Sequence, residues 1–197
     1  MPKPTVIARQ TAYAGYLTVE TVRVRLQDGS EADREVESHG DAVSVLPFDP
    51  ERRTALTVEL FRLPVLDVTG QAALQEACAG MIEKGERPET TVRREAEEEL
   101  GVKLSSLEPV ARVWSSPGVS TERVSLFLAV YSEADRNGEG GGAKGEHEDI
   151  TVRETDLLDL AEAADAGRIA DVKLFALLCA LRVRRPDLFV SASPRIW

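Results

Sequence analysis

The order of the predicted elements indicates a mixed α/β fold for this chain of 197 residues. Apolar patterns predict strands in the first part of the chain, then one charged helix, further strands and finally two helices. Such an order is typical of a sheet with helices packed against it. With 43% apolar and 29% charged residues, the chain can bury a sizeable core.

The first predicted strands form a hairpin near the N-terminus. Residues 17–26 alternate apolar and polar side chains, as a strand with one buried face does. Asp28 and Gly29 form a turn signal, and the charged run that follows, up to Val36, is a candidate partner strand. We therefore expect antiparallel strands in this part of the chain.

Two more buried strands and a helix follow. Residues 42–48 and 55–61 are rich in β-branched side chains and are separated by a polar break, which predicts a second hairpin. Residues 73–78 predict another short strand. The helix is expected to run from Pro88, because proline suits the first turn, to Leu100, because the next residue is a glycine that can close the helix.

The C-terminal half predicts three further strands, at residues 110–114, 124–131 and 150–153. It also predicts two helices, at residues 156–166 and 171–184. Between the second and third of these strands, residues 133–149 are polar and rich in glycine. We expect this segment to be a mobile loop. Any functional residue on it would then be carried by flexible backbone.

Composition disfavours several classes of function. The 34 acidic and 24 basic residues give a net charge of −10, which disfavours non-specific binding to nucleic acid or to an anionic membrane. The sequence shows neither a signal-peptide core nor an apolar run of roughly 18 residues, so we expect a cytoplasmic protein. Cys78 and Cys179 have small or apolar neighbours, which predicts buried free thiols; a disulfide or a metal-binding pair is the alternative.

Three glutamates give the central helix its predicted chemistry. Glu95, Glu98 and Glu99 are spaced i, i+3 and i+4, so they project from one face of the helix. Like charges so close together destabilise a bare helix. A hard divalent cation would remove that cost, because Mg²⁺ prefers carboxylate oxygens. The alternative is an acidic surface helix held by Glu–Arg pairs.

The segment from Gly80 to Val102 also resembles the signature of the Nudix hydrolases, G-x5-E-x7-R-E-U-x-E-E-x-G-U, where U is apolar. The specified positions are filled by Gly80, Glu86, Arg94, Glu95, Ala96, Glu98, Glu99, Gly101 and Val102. The resemblance implies an α/β/α sandwich with a mixed sheet over residues 41–197. It also implies hydrolysis that depends on Mg²⁺, with Mn²⁺ as the alternative metal. Residues 1–40 would be an added antiparallel strand extension used in dimerisation.

By position, the resemblance assigns roles to individual residues. The metal ligands would be the backbone carbonyl of Ala79 and the carboxylates of Glu95, Glu99 and Glu148. Glu98 would bind the metal or support the water bound to it, while Arg94 would hold the carboxylates in place. Glu86 would brace the loop. The alternatives for Glu148 are the base that activates water and an ordinary solvated acid.

Residues outside the signature indicate the substrate class. Pro117, within Ser116–Glu122, and the pair Phe61–Arg62 resemble the branch of the family that cleaves ADP-ribose and nucleotide sugars. Three segments resemble the GDP-mannose pyrophosphatases more closely: Glu76–Gly80, Gly140–Gly142 with the Glu146–Ile150 that follows, and Asp171–Lys173. The sequence departs from that pattern at Leu60, where glutamine is usual, and around Asp33, where a basic pair is usual.

The resemblance implies substrate contacts at eight positions: Tyr16, Arg34, Arg62, Gly80, Met81, Glu122, His147 and Lys173. By the same resemblance, Tyr16 and Arg34 would lie on the N-terminal strands. In this branch those strands reach across a two-fold homodimer and help to complete the partner's site. The alternatives are a surface arginine at position 62 and an exposed loop histidine at position 147.

The sequence therefore predicts an enzyme that hydrolyses the pyrophosphate bond of GDP-mannose to give GMP and mannose 1-phosphate. The alternative substrate is ADP-ribose, which would give AMP and ribose 5-phosphate. A Nudix module that senses a nucleotide without cleaving it is disfavoured, because the signature carboxylates are intact. Removal of oxidised nucleoside triphosphates is disfavoured by Pro117 and by the length of the N-terminal extension.

Overall fold

The computed structural model describes residues 2–142 and 149–190, and these residues form ten strands and four α-helices. The strands are β1 (Thr5–Ala14), β2 (Thr18–Arg25), β3 (Glu31–Ser38), β4 (Ala42–Asp49), β5 (Thr54–Phe61), β6 (Ala73–Glu76), β7 (Cys78–Met81), β8 (Glu108–Trp114), β9 (Arg123–Val130) and β10 (Thr151–Asp156). The helices are α1 (Leu63–Thr69), α2 (Pro88–Leu100), α3 (Leu157–Asp165) and α4 (Val172–Arg184), with short 3-10 helices at Glu133–Asp135 and Pro186–Phe189. The predicted mixed α/β class is confirmed. None of the described helices has the length and apolar character needed to cross a bilayer.

Contacts divide the chain into two compact units. The first contains Met1–Ala42 and Arg112–Val124, and the second contains Val43–Ala111 and Ser125–Trp197. The sequence pattern gives no sign that residues 112–124 associate with the N-terminal strands. Glu37 makes this association through its backbone: its N–H donates to the Val119 carbonyl at 2.8 Å, and its carbonyl accepts from the Thr121 N–H at 3.0 Å.

The first unit is built on an antiparallel sheet in the order β1–β2–β3. A tight turn joins β2 to β3, and Gly29 within it adopts a φ of 85°, which suits glycine. This is the hairpin that the sequence predicts. β1 pairs with β2 along its length, yet all ten of its residues are exposed. In the single chain, both faces of this edge strand are therefore open.

The larger sheet runs in the order β10–β5–β4–β9–β8 within the described residues, with β6 paired to β5 and β7 paired to β4. All eight residues of β4 are buried, so both faces of this strand are covered. β4 and β5 form the second predicted hairpin, with Phe48 opposite Ala55. The pairing of β7 with β4 anchors the start of the signature segment to the middle of the sheet.

The helix α2 has the predicted bounds, and its sequence explains both its ends and its buried face. Pro88 occupies the first turn, and Gly101 after the last turn adopts a φ of 64°. Val92, Ala96 and Leu100 are spaced by four residues and are completely buried in the core with side chains of β4, β5 and β9. The apolar face of α2 therefore fixes the helix against the sheet, and its other face carries the glutamates.

The helix α1 and the segment 133–149 are two of the features that differ from the sequence prediction. The helix α1 was not predicted, because it has only seven residues and none of them is buried. The segment 133–149 was predicted to be a mobile loop throughout. Its described part instead begins with a 3-10 turn and then runs along the end of α2, where the Asn137 N–H donates to the Gly101 carbonyl at 2.9 Å. Local sequence does not show a contact between residues so far apart in the chain.

A polar network lies between β5, β9 and β10 in the second unit. Tyr131 is buried, and its hydroxyl donates to Glu154 at 2.7 Å. Burial, with the Glu154 carboxylate beside it, raises the pKa of Tyr131 to about 12, so the hydroxyl stays a donor. Glu154 also accepts a hydrogen bond from Thr54 at 2.8 Å and pairs with Arg52 at 2.8 Å and Arg136 at 3.4 Å. One carboxylate thus serves four donors.

We predict that Glu154→Ala lowers the free energy of unfolding by about 2–3 kcal/mol, because the Tyr131 hydroxyl and two guanidinium groups lose their shared acceptor. The control is Glu59→Ala, which breaks an exposed pair with Arg153 and should cost less than about 1 kcal/mol. Urea unfolding of both variants measures the difference. Equal losses in the two variants would contradict the assigned role of Glu154.

Candidate active site

The signature segment consists of β7, a loop and α2. β7 is held to β4 by strand pairing and by the Ser44 hydroxyl, which donates to the Cys78 carbonyl at 2.9 Å. The loop contains Gly85, whose φ is 89°. The loop then enters α2 at Pro88. After this loop the chain therefore returns as a helix, and the backbone of β7 faces the side chains of α2.

Glu99 is the most buried of the signature glutamates, with an exposure of 5%. Its Oε2 accepts a hydrogen bond from the Ala79 N–H at 3.2 Å, which fixes the carboxylate beside the β7 backbone. Burial, together with the neighbouring Glu99, raises the pKa of Cys78 well above its usual value, so Cys78 stays a neutral thiol. Both cysteines are free; Cys78 is buried as predicted, whereas Cys179 is partly exposed.

Gly80 allows β7 and α2 to approach closely. A Cβ atom at this position would overlap the carboxylate of Glu95. Any other residue here would push Glu95 away from the strand. Ala79, Gly80 and Met81 follow one another along β7, so the predicted metal-binding carbonyl and two predicted substrate-binding residues lie on the strand that faces Glu95 and Glu99.

Arg94 joins the carboxylates of the signature. Its guanidinium lies 2.9 Å from both Glu95 Oε1 and Glu98 Oε2, and 3.6 Å from Glu86 Oε2. Burial alone would lower the pKa of Arg94, but these carboxylates outweigh it and raise the pKa. Glu86 is fixed in addition by the Thr91 hydroxyl, which donates to it at 2.8 Å. The guanidinium thus offsets the repulsion between glutamates on one helix face.

The donor set fits a hard divalent cation in its chemistry. It consists of oxygens only, from the glutamates of α2 and the β7 backbone, and one guanidinium does not balance four carboxylates. Gly80 leaves room for Glu95 beside the strand. In residues 2–142 and 149–190, no three acidic, histidine or cysteine side chains already converge on one metal position. A bound ion would therefore need some movement of these side chains from the positions they have in this structure.

A second cluster brings together two predicted substrate-binding residues, Arg62 and Lys173. Arg62 donates to both carboxylate oxygens of Glu76, at 2.7 and 3.1 Å, and Lys173 Nζ donates to the same carboxylate at 3.0 Å. Glu76 is 3% exposed, and burial alone would raise its pKa. The two cations outweigh burial and lower the pKa. The sequence pattern does not single out Glu76, because its role depends on partners distant in the sequence.

Asp171 ties this cluster to the start of the signature. Its Oδ2 accepts from the backbone N–H groups of Ala77 at 3.1 Å and Leu174 at 3.0 Å, and its Oδ1 accepts from Lys173 Nζ at 2.8 Å. Asp171 is therefore both the N-cap of α4 and the anchor of Ala77, the residue between β6 and β7. An aspartate directly before a helical pattern is an N-cap signal, so this residue could have been found from the sequence.

Three predicted substrate-binding residues, Tyr16, Arg34 and Glu122, belong to the first unit. His39 connects two of them: its ring is stacked on Tyr16 with centroids 6.3 Å apart, and its Nε2 lies 3.3 Å from Glu122. Its Nδ1 lies 2.8 Å from Glu37. Arg34 donates to the carbonyl of the preceding residue. His39 is one of two histidines in the sequence, and that rarity is the signal that could have identified it.

Two predicted site residues, His147 and Glu148, lie outside the described residues. The structure therefore gives no position for them. Their assigned roles stay predictions from the resemblance.

We predict that His39 makes stability depend on pH. Its hydrogen bond to Glu37 is the main cause that raises its pKa above 6.5, and Glu122 adds to the effect. A raised pKa means that the protonated ring stabilises the fold. This contribution is complete below the unfolded-state pKa and is lost as the pH rises through the higher folded-state pKa.

His39→Gln should therefore cost most stability at mildly acidic pH and progressively less above neutrality. Urea unfolding of parent and variant from about pH 5 to pH 9 measures this difference. Glu122→Gln, which keeps the histidine but removes one carboxylate partner, should shift the transition to lower pH. A difference between parent and His39→Gln that does not change with pH would contradict the prediction.

Comparison with known proteins identifies the family. The NUDIX domain model matches residues 38–178. A GDP-mannose pyrophosphatase of Cronobacter sakazakii is 36% identical over 152 residues, which cover 77% of this chain and 78% of that protein. An ADP-ribose pyrophosphatase of Escherichia coli is 34% identical over 169 residues, which cover 83% and 80%. A crystal structure of an ADP compounds hydrolase shares the fold, with a TM-score of 0.77 and 18% identity over 96% of this chain and 98% of that one. The chain is therefore a Nudix pyrophosphatase, a member of the NUDIX domain family.

Proposed function

We propose that the protein hydrolyses the pyrophosphate bond of nucleoside diphosphate sugars with a divalent metal ion, and that GDP-mannose is the preferred substrate. One observation carries the proposal: Glu95 and Glu99 of the complete signature lie against the backbone of β7 at Ala79 and Gly80. This arrangement collects oxygen ligands of two kinds, carboxylate and carbonyl, beside a partly buried strand. Such ligands suit Mg²⁺ or Mn²⁺.

We propose a separate role for each of the signature residues. Ala79, Glu95 and Glu99 would hold the metal ion, with Glu98 as a further ligand or as the support of a water molecule. When bound, the ion would neutralise the charge of the diphosphate and lower the pKa of water. Arg94 keeps Glu95 and Glu98 oriented through its two ion pairs at 2.9 Å. Glu148 remains a proposed further ligand or base from outside the described residues.

Substrate contacts are proposed at the positions that the resemblance implies. Among these positions, Arg62 is supported by its contacts with Glu76. The Arg62 side chain is 44% exposed, although Glu76 fixes two of its nitrogens. A guanidinium held in this way is pre-oriented toward a phosphate at little further cost in conformational entropy. Lys173 supports the arrangement because it adds a second positive charge beside Glu76.

The experiment that tests the function is a substrate panel. Purified protein is incubated with GDP-mannose, ADP-ribose, other nucleotide sugars and nucleoside triphosphates, with Mg²⁺ or with a chelator, and the products are separated by chromatography. We expect GMP and mannose 1-phosphate from GDP-mannose, with slower release of AMP and ribose 5-phosphate from ADP-ribose. ADP-ribose is the second candidate because the Escherichia coli relative with that name matches 83% of the chain. Consumption of nucleoside triphosphates alone would contradict the proposed substrate class.

We predict that Glu95→Gln and Glu99→Gln each lower kcat by roughly 10²–10³-fold, since losing one carboxylate ligand removes several kcal/mol of transition-state stabilisation. The fold should persist, because each change also relieves like-charge repulsion on α2. The control is Glu97→Gln on the same helix, whose side chain is half-exposed and bonded to Asn137. Steady-state rates across a range of Mg²⁺ concentrations test the prediction. Rates and Mg²⁺ dependence in both variants equal to those of Glu97→Gln would exclude the metal role.

We also propose that the active protein is a homodimer in which the N-terminal strands pack on a second copy of the chain. All residues of β1 are exposed in the single chain, including the apolar side chains of Val6, Ile7 and Tyr13. A second subunit would cover such an edge strand, and a two-fold interface presents the same surface twice. Tyr16 and Arg34 would then approach the partner's site.

We predict that the double substitution Val6→Lys and Tyr13→Lys yields a monomer, because two lysines on each β1 would be brought into an apolar interface. Val183→Lys is the control, since Val183 on α4 is 82% exposed and lies outside the proposed interface. Sedimentation velocity gives the mass of each variant. A double variant that sediments like the parent would show that β1 does not form the interface.

A further inference from the structure

The last turn of α2 places negative charge where a helix tolerates it least. Glu97, Glu98 and Glu99 are consecutive in this turn, and the turn contains no basic residue. The C-terminal end of a helix carries partial negative charge, because its last carbonyl groups lack intrahelical partners. Carboxylates there are therefore unfavourable. A helix end of this kind is prone to fray unless other groups satisfy the carbonyls.

Two of those carbonyls are satisfied by a segment that we call the glycine clamp, Gly140–Gly142. The Gly141 N–H donates to the Glu99 carbonyl at 2.9 Å, and the Gly142 N–H donates to the Glu98 carbonyl at 3.1 Å. The three glycines have φ values of 71°, 105° and 93°, a region that other residues rarely adopt. The conformation directs two successive N–H groups toward two successive carbonyls of the helix.

Gly140 also permits the close approach of the two backbones. A Cβ atom at position 140 would overlap the Glu99 carbonyl and would lie 2.8 Å from the carbonyl carbon of Leu100. Side-chain movement cannot relieve a collision with backbone atoms. A side chain at position 140 must therefore separate the clamp from the helix. Position 138 is different, because a Cβ atom there would meet no atom closer than 4.0 Å.

We propose that Gly140, Gly141 and Gly142 are positioning residues, which hold the backbone of Glu98 and Glu99 so that their carboxylates are presented to a divalent metal ion. This inference rests on the proposed function. The clamp acts on the same residue whose side chain is fixed by the Ala79 N–H, so Glu99 is held at both its backbone and its carboxylate. Release of the clamp should loosen the last turn and broaden the orientations of both carboxylates.

The test compares Gly140→Ala, Gly141→Ala and Gly138→Ala with the parent. Gly138→Ala is the matched control, and Gly141→Ala is intermediate because its Cβ would meet only the Ile150 carbonyl at an ordinary 3.7 Å. The first readout is Mn²⁺ binding by calorimetry or by electron paramagnetic resonance without substrate. We expect Gly140→Ala to weaken binding by about 10- to 100-fold, as loss of groups that orient metal ligands does. Gly141→Ala should weaken it less, and Gly138→Ala should match the parent.

The second readout is the hydrolysis rate as a function of Mg²⁺ concentration. In Gly140→Ala the Mg²⁺ concentration for half-maximal rate should rise, while the KM for substrate at saturating metal should stay near that of the parent. A merely structural role would lower the amount of active protein without shifting the metal dependence. Unchanged Mn²⁺ binding and unchanged Mg²⁺ dependence in Gly140→Ala would overturn the inference.

Three further cases are decisive. If Gly140→Ala does not fold, two other measurements take its place. They are Mn²⁺ binding by Gly141→Ala and amide hydrogen exchange of the parent protein. Protected Gly141 and Gly142 amides with weakened Mn²⁺ binding in Gly141→Ala support the inference, whereas unprotected amides overturn it. If the parent binds Mn²⁺ but cleaves no nucleotide sugar, the proposed function fails, and the clamp is judged from Mn²⁺ binding alone. A parent that binds no Mn²⁺ overturns the inference.

Discussion

Repulsion among the carboxylates of the signature is the constraint on which the rest of the site depends. Glu86, Glu95, Glu98 and Glu99 are collected around one helix, and the chain offers several separate groups to offset their charge. Arg94 pairs with three of them, and the Ala79 N–H donates to the fourth. Every one of these interactions holds a carboxylate in place without a metal. Without a metal, the carboxylates are therefore held in place, but their negative charge is only partly neutralised. Binding of a cation would neutralise more of this charge and would therefore be favourable.

The apolar face of α2 explains how the helix tolerates this charge. Each like-charge pair at i, i+4 costs only about 0.2–0.5 kcal/mol. Full burial of a valine or leucine side chain contributes about 1.5–3 kcal/mol, and Val92 and Leu100 are both completely buried. Burial therefore outweighs repulsion, and the helix forms with its acidic face intact. The core of the second unit thus supplies the stability that the acidic face lacks.

Short sequence signals were enough to predict the ends of a helix and the position of a hairpin. Pro88 and the glycine after Leu100 set the bounds of α2, and the polar break after β4 indicated the hairpin with β5. The remaining features depend on pairs distant in the chain. Glu76 is fixed by Lys173, and the end of α2 is fixed by Gly141 and Gly142. Composition around such residues predicts a loop or a strand, but it does not reveal which group elsewhere will bind them.

The same distinction between local and distant residues applies to the candidate site. The residues proposed to bind the metal are close in the sequence, whereas those proposed to determine substrate specificity are not. The signature residues form a continuous segment, so their spacing alone indicated their grouping. The residues expected to read the base and the sugar are scattered over both units, and one departure from the resembled pattern lies among them. Asp33, where a basic pair is usual, accepts two hydrogen bonds from Arg23 on the neighbouring strand, at 2.9 and 3.1 Å.

An exposed pair of this kind contributes only about 0–1 kcal/mol to stability, so its main effect is on the charge that β3 presents. The guanidinium of Arg23 is balanced by Asp33, which leaves Arg34 as the cation of this stretch of β3. A ligand that meets β3 therefore meets less positive charge than a basic pair would offer. Charge at a solvent-exposed position acts mainly on the rate of encounter and on discrimination between ligands. If β3 contacts the substrate, as proposed above, the preference between nucleotide sugars would depend on the charge of this strand as well as on the signature.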